Sequence, residues 1–131
     1  MQNREASCSC GKLKLLCQGD PIRVSVCHCL ACQQRTGSIF GVQARFDTDK
    51  VSIQGEAREY VRVGDSGNSV LMNFCPECGS TVYWRFPSSP EFTVVAVGAF
   101  ADPGFPAPKI AIYETRRHSW AVTETVTEHW D

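Results

Sequence analysis

Apolar and polar side chains alternate in short bouts along this chain, and each bout is ended by Gly, Pro, Ser or Asn. Alternation with a period of two is the pattern of half-buried strands, and the punctuation is the chemistry of turns. The pattern predicts strands over 11–18, 22–29, 38–46, 50–54, 58–63, 70–74, 81–86, 92–100 and 110–114. Loops fall at 64–68, 87–90 and 101–108, where proline removes ladder donors and glycine supplies positive φ. A single helix of a turn or two fits at 30–35. No repeat, low-complexity tract or linker interrupts the series, so the expectation is one all-β domain over residues 1–131.

The phase of the 22–29 strand says more. Ile22, Val24 and Val26 share one face, so Cys27 and Cys29 are expected on the other. His28 then follows the apolar face and is expected to be packed, not to serve as a ligand, although it stands between two cysteines.

Seven of the eight cysteines fall in three clusters: Cys8-Ser9-Cys10, Cys27-His28-Cys29-Leu30-Ala31-Cys32 and Cys75-Pro76-Glu77-Cys78. Side chains at i and i+2 of an extended segment point the same way without converging, which suits a shared metal better than a disulfide. Cys75 to Cys78, followed by Gly79, has the spacing of a zinc knuckle, and Cys8 to Cys10, followed by Gly11, is an analogous pair. Together they would close a four-sulfur structural site. A redox Cys-x-x-Cys is the competing reading, but it belongs with βαβ units, not with strands alone. Cys27, Cys29 and Cys32 form a trio that leaves a tetrahedral metal one ligand short, the layout of a catalytic zinc whose open position could take water or a substrate thiol. The trio would instead be a second closed site if Cys17, Asp47 or Asp49 supplied a fourth ligand. Cys17 reads most simply as a buried residue of the first strand.

Composition narrows the function classes. The chain has 131 residues, 43% of them hydrophobic, with 13 basic and 14 acidic side chains and a net charge of -1. No basic run marks a nucleic-acid or membrane surface, so neither partner is expected. The first cysteine is reached without an apolar signal-like run, and no stretch approaches the roughly 20 apolar residues of a spanning helix. A cytoplasmic location is therefore expected, where clustered thiols read as metal ligands and a secreted disulfide fold is disfavoured.

With these motifs in hand a resemblance covers nearly the whole chain. Cys8-Ser9-Cys10-Gly11, the stretch from Cys27 through Cys32-Gln33-Gln34-Arg35-Thr36-Gly37-Ser38, Phe74-Cys75-Pro76-Glu77-Cys78-Gly79-Ser80 and Gly98-Ala99-Phe100-Ala101-Asp102-Pro103 are similar to the glutathione-dependent formaldehyde-activating family, which also includes centromere protein V. The resemblance implies zinc-held, β-tent-like antiparallel sheets and two zinc ions per chain. Cys8, Cys10, Cys75 and Cys78 would hold the structural zinc, and Cys27, Cys29 and Cys32 the catalytic one. It also implies a carbon-sulfur lyase joining a glutathione-like thiol to an aldehyde such as formaldehyde, as an S-hydroxymethyl adduct. Two places depart from the family: Lys109 stands where a histidine is common, and the ending is His118-Ser119-Trp120.

Arg35, just beyond Cys32, is the candidate clamp for a substrate carboxylate, and the 64–68 and 101–108 loops with Phe105 and Trp120 are candidate pocket walls. The alternative function is a zinc-stabilised binding module without catalysis. A monomer or a homodimer through a sheet edge fits either reading.

Overall fold

The computed structural model describes residues 2–64 and 66–131. Met1 and Asp65, the latter in the predicted 64–68 loop, lie outside the described residues. Eleven strands and one α-helix are formed among them: β1 Asn3–Ser7, β2 Lys14–Gln18, β3 Arg23–Cys27, α1 Leu30–Thr36, β4 Gly41–Asp47, β5 Val51–Gln54, β6 Arg58–Val63, β7 Ser69–Phe74, β8 Thr81–Arg85, β9 Phe92–Ala96, β10 Ile110–Ile112 and β11 Glu128–Trp130. Three single-turn 3-10 helices, Thr48–Lys50, Val97–Phe100 and Glu114–Arg116, fill corners between them. No helix is long and apolar enough to cross a membrane.

The strands make two sheets. A small one runs β1-β2-β5, and a large one runs β11-β10-β3-β4-β9-β8-β7-β6. The antiparallel expectation holds except at one end of the large sheet, where β10 lies parallel to both β3 and β11. Alternation predicts faces but not strand direction, and β10 is reached from β9 through a long irregular connection that returns the chain in the same sense as β3.

The principal core lies between the sheets. Leu13, Leu15 and Cys17 from the small sheet side meet Ala44, Phe46, Val82, Val95 and Phe100, all almost fully buried. At about 25 cal/mol per Å2 of apolar area removed from water, each such large side chain contributes roughly 1.5–3 kcal/mol. A second, smaller cluster of Val70, Met72, Trp84 and Val94 occupies the opposite face of the large sheet. α1 packs beside β4 at this end of the sheet.

Several predicted strands are shorter than the pattern suggested. The 11–18 segment becomes regular only at Lys14, because the amide of Cys8 donates to the Leu13 carbonyl in the tight turn before it. The 22–29 strand stops at Cys27, since Cys29 is already the N-cap of α1, and the 92–100 segment ends at Ala96 in a 3-10 turn. Two strands had no hydrophobic signature: β1 buries only Ala6, and all three residues of β11 are exposed.

A three-sulfur centre at the end of a cationic cavity

The Cys8 and Cys10 turn, after β1, meets the turn between β7 and β8 that carries Cys75 and Cys78. The four sulfurs lie within 4.8 Å of one another. Cys8 to Cys10 and Cys10 to Cys75 are each 3.6 Å between sulfurs, close to the edge of about 3.8 Å expected for a tetrahedron with Zn–S bonds of about 2.3 Å. The turns are built for thiolates. The Leu13 amide donates to Cys8 Sγ at 3.2 Å and the Glu77 amide to Cys75 Sγ at 3.4 Å. Gly79 takes φ of 81° where its amide closes the knuckle on the Cys75 carbonyl, a conformation a side chain would strain. Hydrogen bonds from the Ser80 hydroxyl and amide hold the Cys78 thiol down at about 5. Ser80 also bridges to Ser9 Oγ at 3.0 Å, joining the two turns beside the sulfurs.

Cys27, Cys29 and Cys32 form the second cluster, again with sulfurs within 4.8 Å. Cys27 leaves the end of β3, Cys29 caps α1 and accepts the Cys32 amide at 3.2 Å, and Cys32 lies in the helix's first turn. Gly37 ends the helix in the left-handed conformation, its amide on the Gln33 carbonyl at 2.8 Å. Gln33 Nε2 donates to the His28 and Arg116 carbonyls at 3.0 and 3.2 Å, pinning the helix to the chain behind the trio. Contacts with Cys27 and Cys32 pull the Cys29 thiol down to about 2 despite burial, whereas contacts with its two partners, together with burial, push Cys27 up. Such a cluster releases one proton readily and keeps the others until a cation compensates the charge.

No further His, Cys, Asp or Glu among the described residues joins the trio within that span. Cys17, one suggested fourth ligand, is fully buried in the principal core, where burial alone pushes its thiol up to about 12. Asp47 and Asp49 lie around the turn after β4, outside the group. His28 is buried with its ring edge against Phe40 at 5.8 Å, and it does not join the sulfurs. All eight cysteines are free thiols.

The trio opens into a cavity of about 320 Å3 on the face of the large sheet that carries the smaller cluster. Strand register builds its floor: Arg23 faces Arg45 across β3 and β4, Arg45 faces Val94, Val94 faces Trp84, and Trp84 faces Met72. Because Arg23 and Cys27 are four residues apart on β3, they share that face. Arg35 reaches in from α1 with its guanidinium 4.5 Å from the Trp84 ring centroid, its charge acting on Cys32, while that of Arg62 acts on Cys29. Burial lowers Arg35 from its ordinary value, and Cys32 opposes that shift.

Of the suggested walls, Gly64, Ser66 and Asn68 line the cavity, but the 101–108 loop does not. Phe105 instead stacks on Phe100 at 4.5 Å in the principal core, and Trp120 is 71% exposed beside His118. The apolar content that suggested both as lining residues serves core packing in one case and the outer surface in the other. Lys109 is exposed and lines a separate groove with Asp20 and Ile22. Sequence reading missed Arg23, Arg45, Arg62 and Trp84. The available signal was phase, since Arg23 alternates with Val24 and Val26 on the side that carries Cys27.

Comparisons with known proteins bear on the fold and the family. The solved structure of a Rhodobacter sphaeroides protein shares the fold with a TM-score of 0.57 at 17% identity, covering 97% of this chain and 99% of that one. A Talaromyces marneffei protein, provisionally named a glutathione-dependent formaldehyde-activating enzyme, is 27% identical over 85 residues. That alignment takes in 65% of this chain and 45% of the relative, so the chain spans less than half the length of the curated relative it matches. The family model described as glutathione-dependent formaldehyde-activating enzyme matches residues 3–116, which include both cysteine clusters and the cavity floor, and the chain belongs to that family.

Proposed function

We propose that this chain is a zinc-dependent carbon-sulfur lyase, forming or splitting the S-hydroxymethyl adduct of a glutathione-like thiol and an aldehyde such as formaldehyde. Cys8, Cys10, Cys75 and Cys78 hold a structural zinc in this reading, and Cys27, Cys29 and Cys32 hold a second with one open position. The observation that carries the proposal is the three-sulfur cluster, without a fourth described ligand, at the end of a cavity large enough for a small molecule. The family membership supports the thiol and the aldehyde as the substrate classes.

A zinc in the trio would favour the thiolate form of a bound thiol or polarise an aldehyde oxygen. Adduct formation joins the thiolate sulfur to the carbonyl carbon, the carbonyl π pair moves to oxygen, and that oxygen takes a proton; cleavage runs the same steps backwards. The chain's own residues hold the parts in place. Cys29 presents its sulfur where the Cys32 amide stabilises negative charge. Arg35, stacked on Trp84 and beside Cys32, offsets the negative charge of three thiolates and is placed to meet a substrate carboxylate or the developing oxyanion. Val70, Met72 and Trp84 keep the cavity floor apolar, which strengthens each of these interactions. Lys109, which stands where the family commonly has histidine, lies outside the cavity.

The test is the exchange of 13C-formaldehyde with its glutathione adduct, followed by NMR line shape at neutral pH. The zinc-loaded protein is expected to accelerate exchange catalytically, and Cys29→Ser to remove the acceleration. Exchange at the uncatalysed rate with a folded, two-zinc protein would refute the lyase.

A further inference from the structure

The cavity is more cationic than a glutathione site needs. Arg23, Arg35, Arg45 and Arg62 line it beside a partnered fifth arginine, Arg116, and among the described residues no Asp or Glu does. None of the four makes an ion pair with a described carboxylate. Glu91, which acts on Arg45 at longer range, is exposed and lies outside the cavity. Arg23 and Arg45 are directly opposed in the register of β3 and β4, an arrangement of like charges that weakens a sheet unless something compensates it. Three of the guanidinium groups also have a nitrogen buried without a protein partner: Arg35 Nη2, Arg45 Nε and Arg62 Nε. Buried donors of this kind are ordinarily satisfied, and here all three belong to side chains that line one cavity.

Aromatic faces hold these groups in place. The Arg23 guanidinium lies 4.9 Å from the Trp130 ring centroid, Arg45 4.8 Å from Phe92 and Arg35 4.5 Å from Trp84. Stacking fixes the planar forks without neutralising them, which leaves their edges for carboxylate or phosphate oxygens. β11, the strand without a hydrophobic signature, contributes Trp130 to this arrangement.

We infer that the cavity selects a thiol whose tail carries at least two anionic groups and no ammonium group, with the Arg23 and Arg45 pair taking one anion and Arg62 with Arg35 the other. The inference rests on the proposed function for the sulfur end of the ligand, but its anionic end stands on the arginines alone. Glutathione has the carboxylates but also an ammonium, for which the described lining offers no carboxylate. An N-acylated, dicarboxylate or phosphorylated thiol matches the same guanidinium charges without that mismatch.

A matched series tests this. Zinc-loaded protein is titrated with glutathione, N-acetylglutathione, glutathione diethyl ester and S-methyl-N-acetylglutathione. Fluorescence from Trp84 and Trp130 reports the arginines, and the zinc absorption edge reports the sulfur. N-acetylglutathione is expected to bind about fivefold tighter than glutathione, and the diester at least about tenfold weaker than glutathione. Arg23→Gln with Arg45→Gln should collapse these differences. In the unmodified protein the N-acetyl preference should shrink as sodium chloride rises from about 0.01 to 0.5 M, a result that does not depend on the variant folding. Equal binding of the glutathione forms, or tightest binding by the diester, overturns the inference. If every thiol shifts the zinc edge regardless of tail charge, the lyase reading survives and the inference fails. If no thiol shifts the edge while S-methyl-N-acetylglutathione still binds through the arginines, the lyase reading fails and the inference stands.

Discussion

Serine at Cys10 and serine at Cys29 should have unequal consequences for folding. Both positions lie outside the fully buried core, so neither change opens a large cavity. What differs is the length of chain that a metal at each cluster would close. The first cluster joins segments 65 residues apart, as the contact between Cys10 and Cys75 shows, whereas the trio lies within a single β3-to-α1 corner. Loop-closure entropy for a link of that separation is about 4 kcal/mol, against about 2 kcal/mol for a six-residue loop. Three remaining sulfurs can still hold some metal, so these are upper values for a single substitution. Urea unfolding of the zinc-loaded proteins gives the comparison. With a denaturant slope near 2 kcal/mol/M, Cys10→Ser should lower the midpoint by up to about 2 M and Cys29→Ser by no more than about 1 M. Equal losses, or a larger loss at Cys29, would refute the division of labour between the two clusters.

Three further outcomes follow from local geometry. Gly41→Ala would place a Cβ 2.7 Å from Arg35 Nη2 and 3.5 Å from Cys32 Cβ, so it should displace the guanidinium from Trp84 and weaken thiol binding several-fold in a fluorescence titration. Its stability should change by only about 1 kcal/mol, because the crowded atom is the end of a flexible side chain. Gly55→Ala is the opposite case: its Cβ would lie 1.9 Å from the Lys12 carbonyl oxygen at φ of 96°, so a loss of roughly 3 kcal/mol or more in urea unfolding is expected. Cys17 keeps its proton up to about 12 when folded but loses it near 9 when unfolded, so its contribution to stability is complete below pH 9 and declines by roughly 1.4 kcal/mol per unit as pH rises from 9 towards 12. Cys17→Ala should flatten that alkaline limb, and an unchanged limb would contradict the burial argument.

The two cysteine clusters were legible in the sequence because ligand spacing is local and strand phase fixes which side of β3 carries Cys27. That the first two pairs meet across the fold was legible only as the completion of a four-ligand set, which the sheet topology then realises. The arginines that line the cavity were not legible. Arg45 sits between Ala44 and Phe46 as any outward strand residue would, and its pairing with Arg23 depends on register between strands, which alternation alone does not determine. β1 and β11 escaped for a different reason: their residues are mostly polar or exposed, and backbone pairing to a neighbouring strand holds them in place. The parallel placement of β10 is likewise a property of the connection that precedes it. Phe105 and Trp120 show the converse error, where hydrophobic character suggested lining residues and packing placed them elsewhere.

The central claim is that the trio holds an open zinc that a substrate thiol completes. X-ray absorption of the two-zinc protein addresses it directly, since sulfur neighbours are counted at the metal itself. Four sulfurs at one centre and three at the other give an average of about 3.5 per zinc without thiol, rising to about 4 when thiol is added. An average of 4 before any thiol is added, or a count that stays at 3.5 with saturating thiol, would contradict the account.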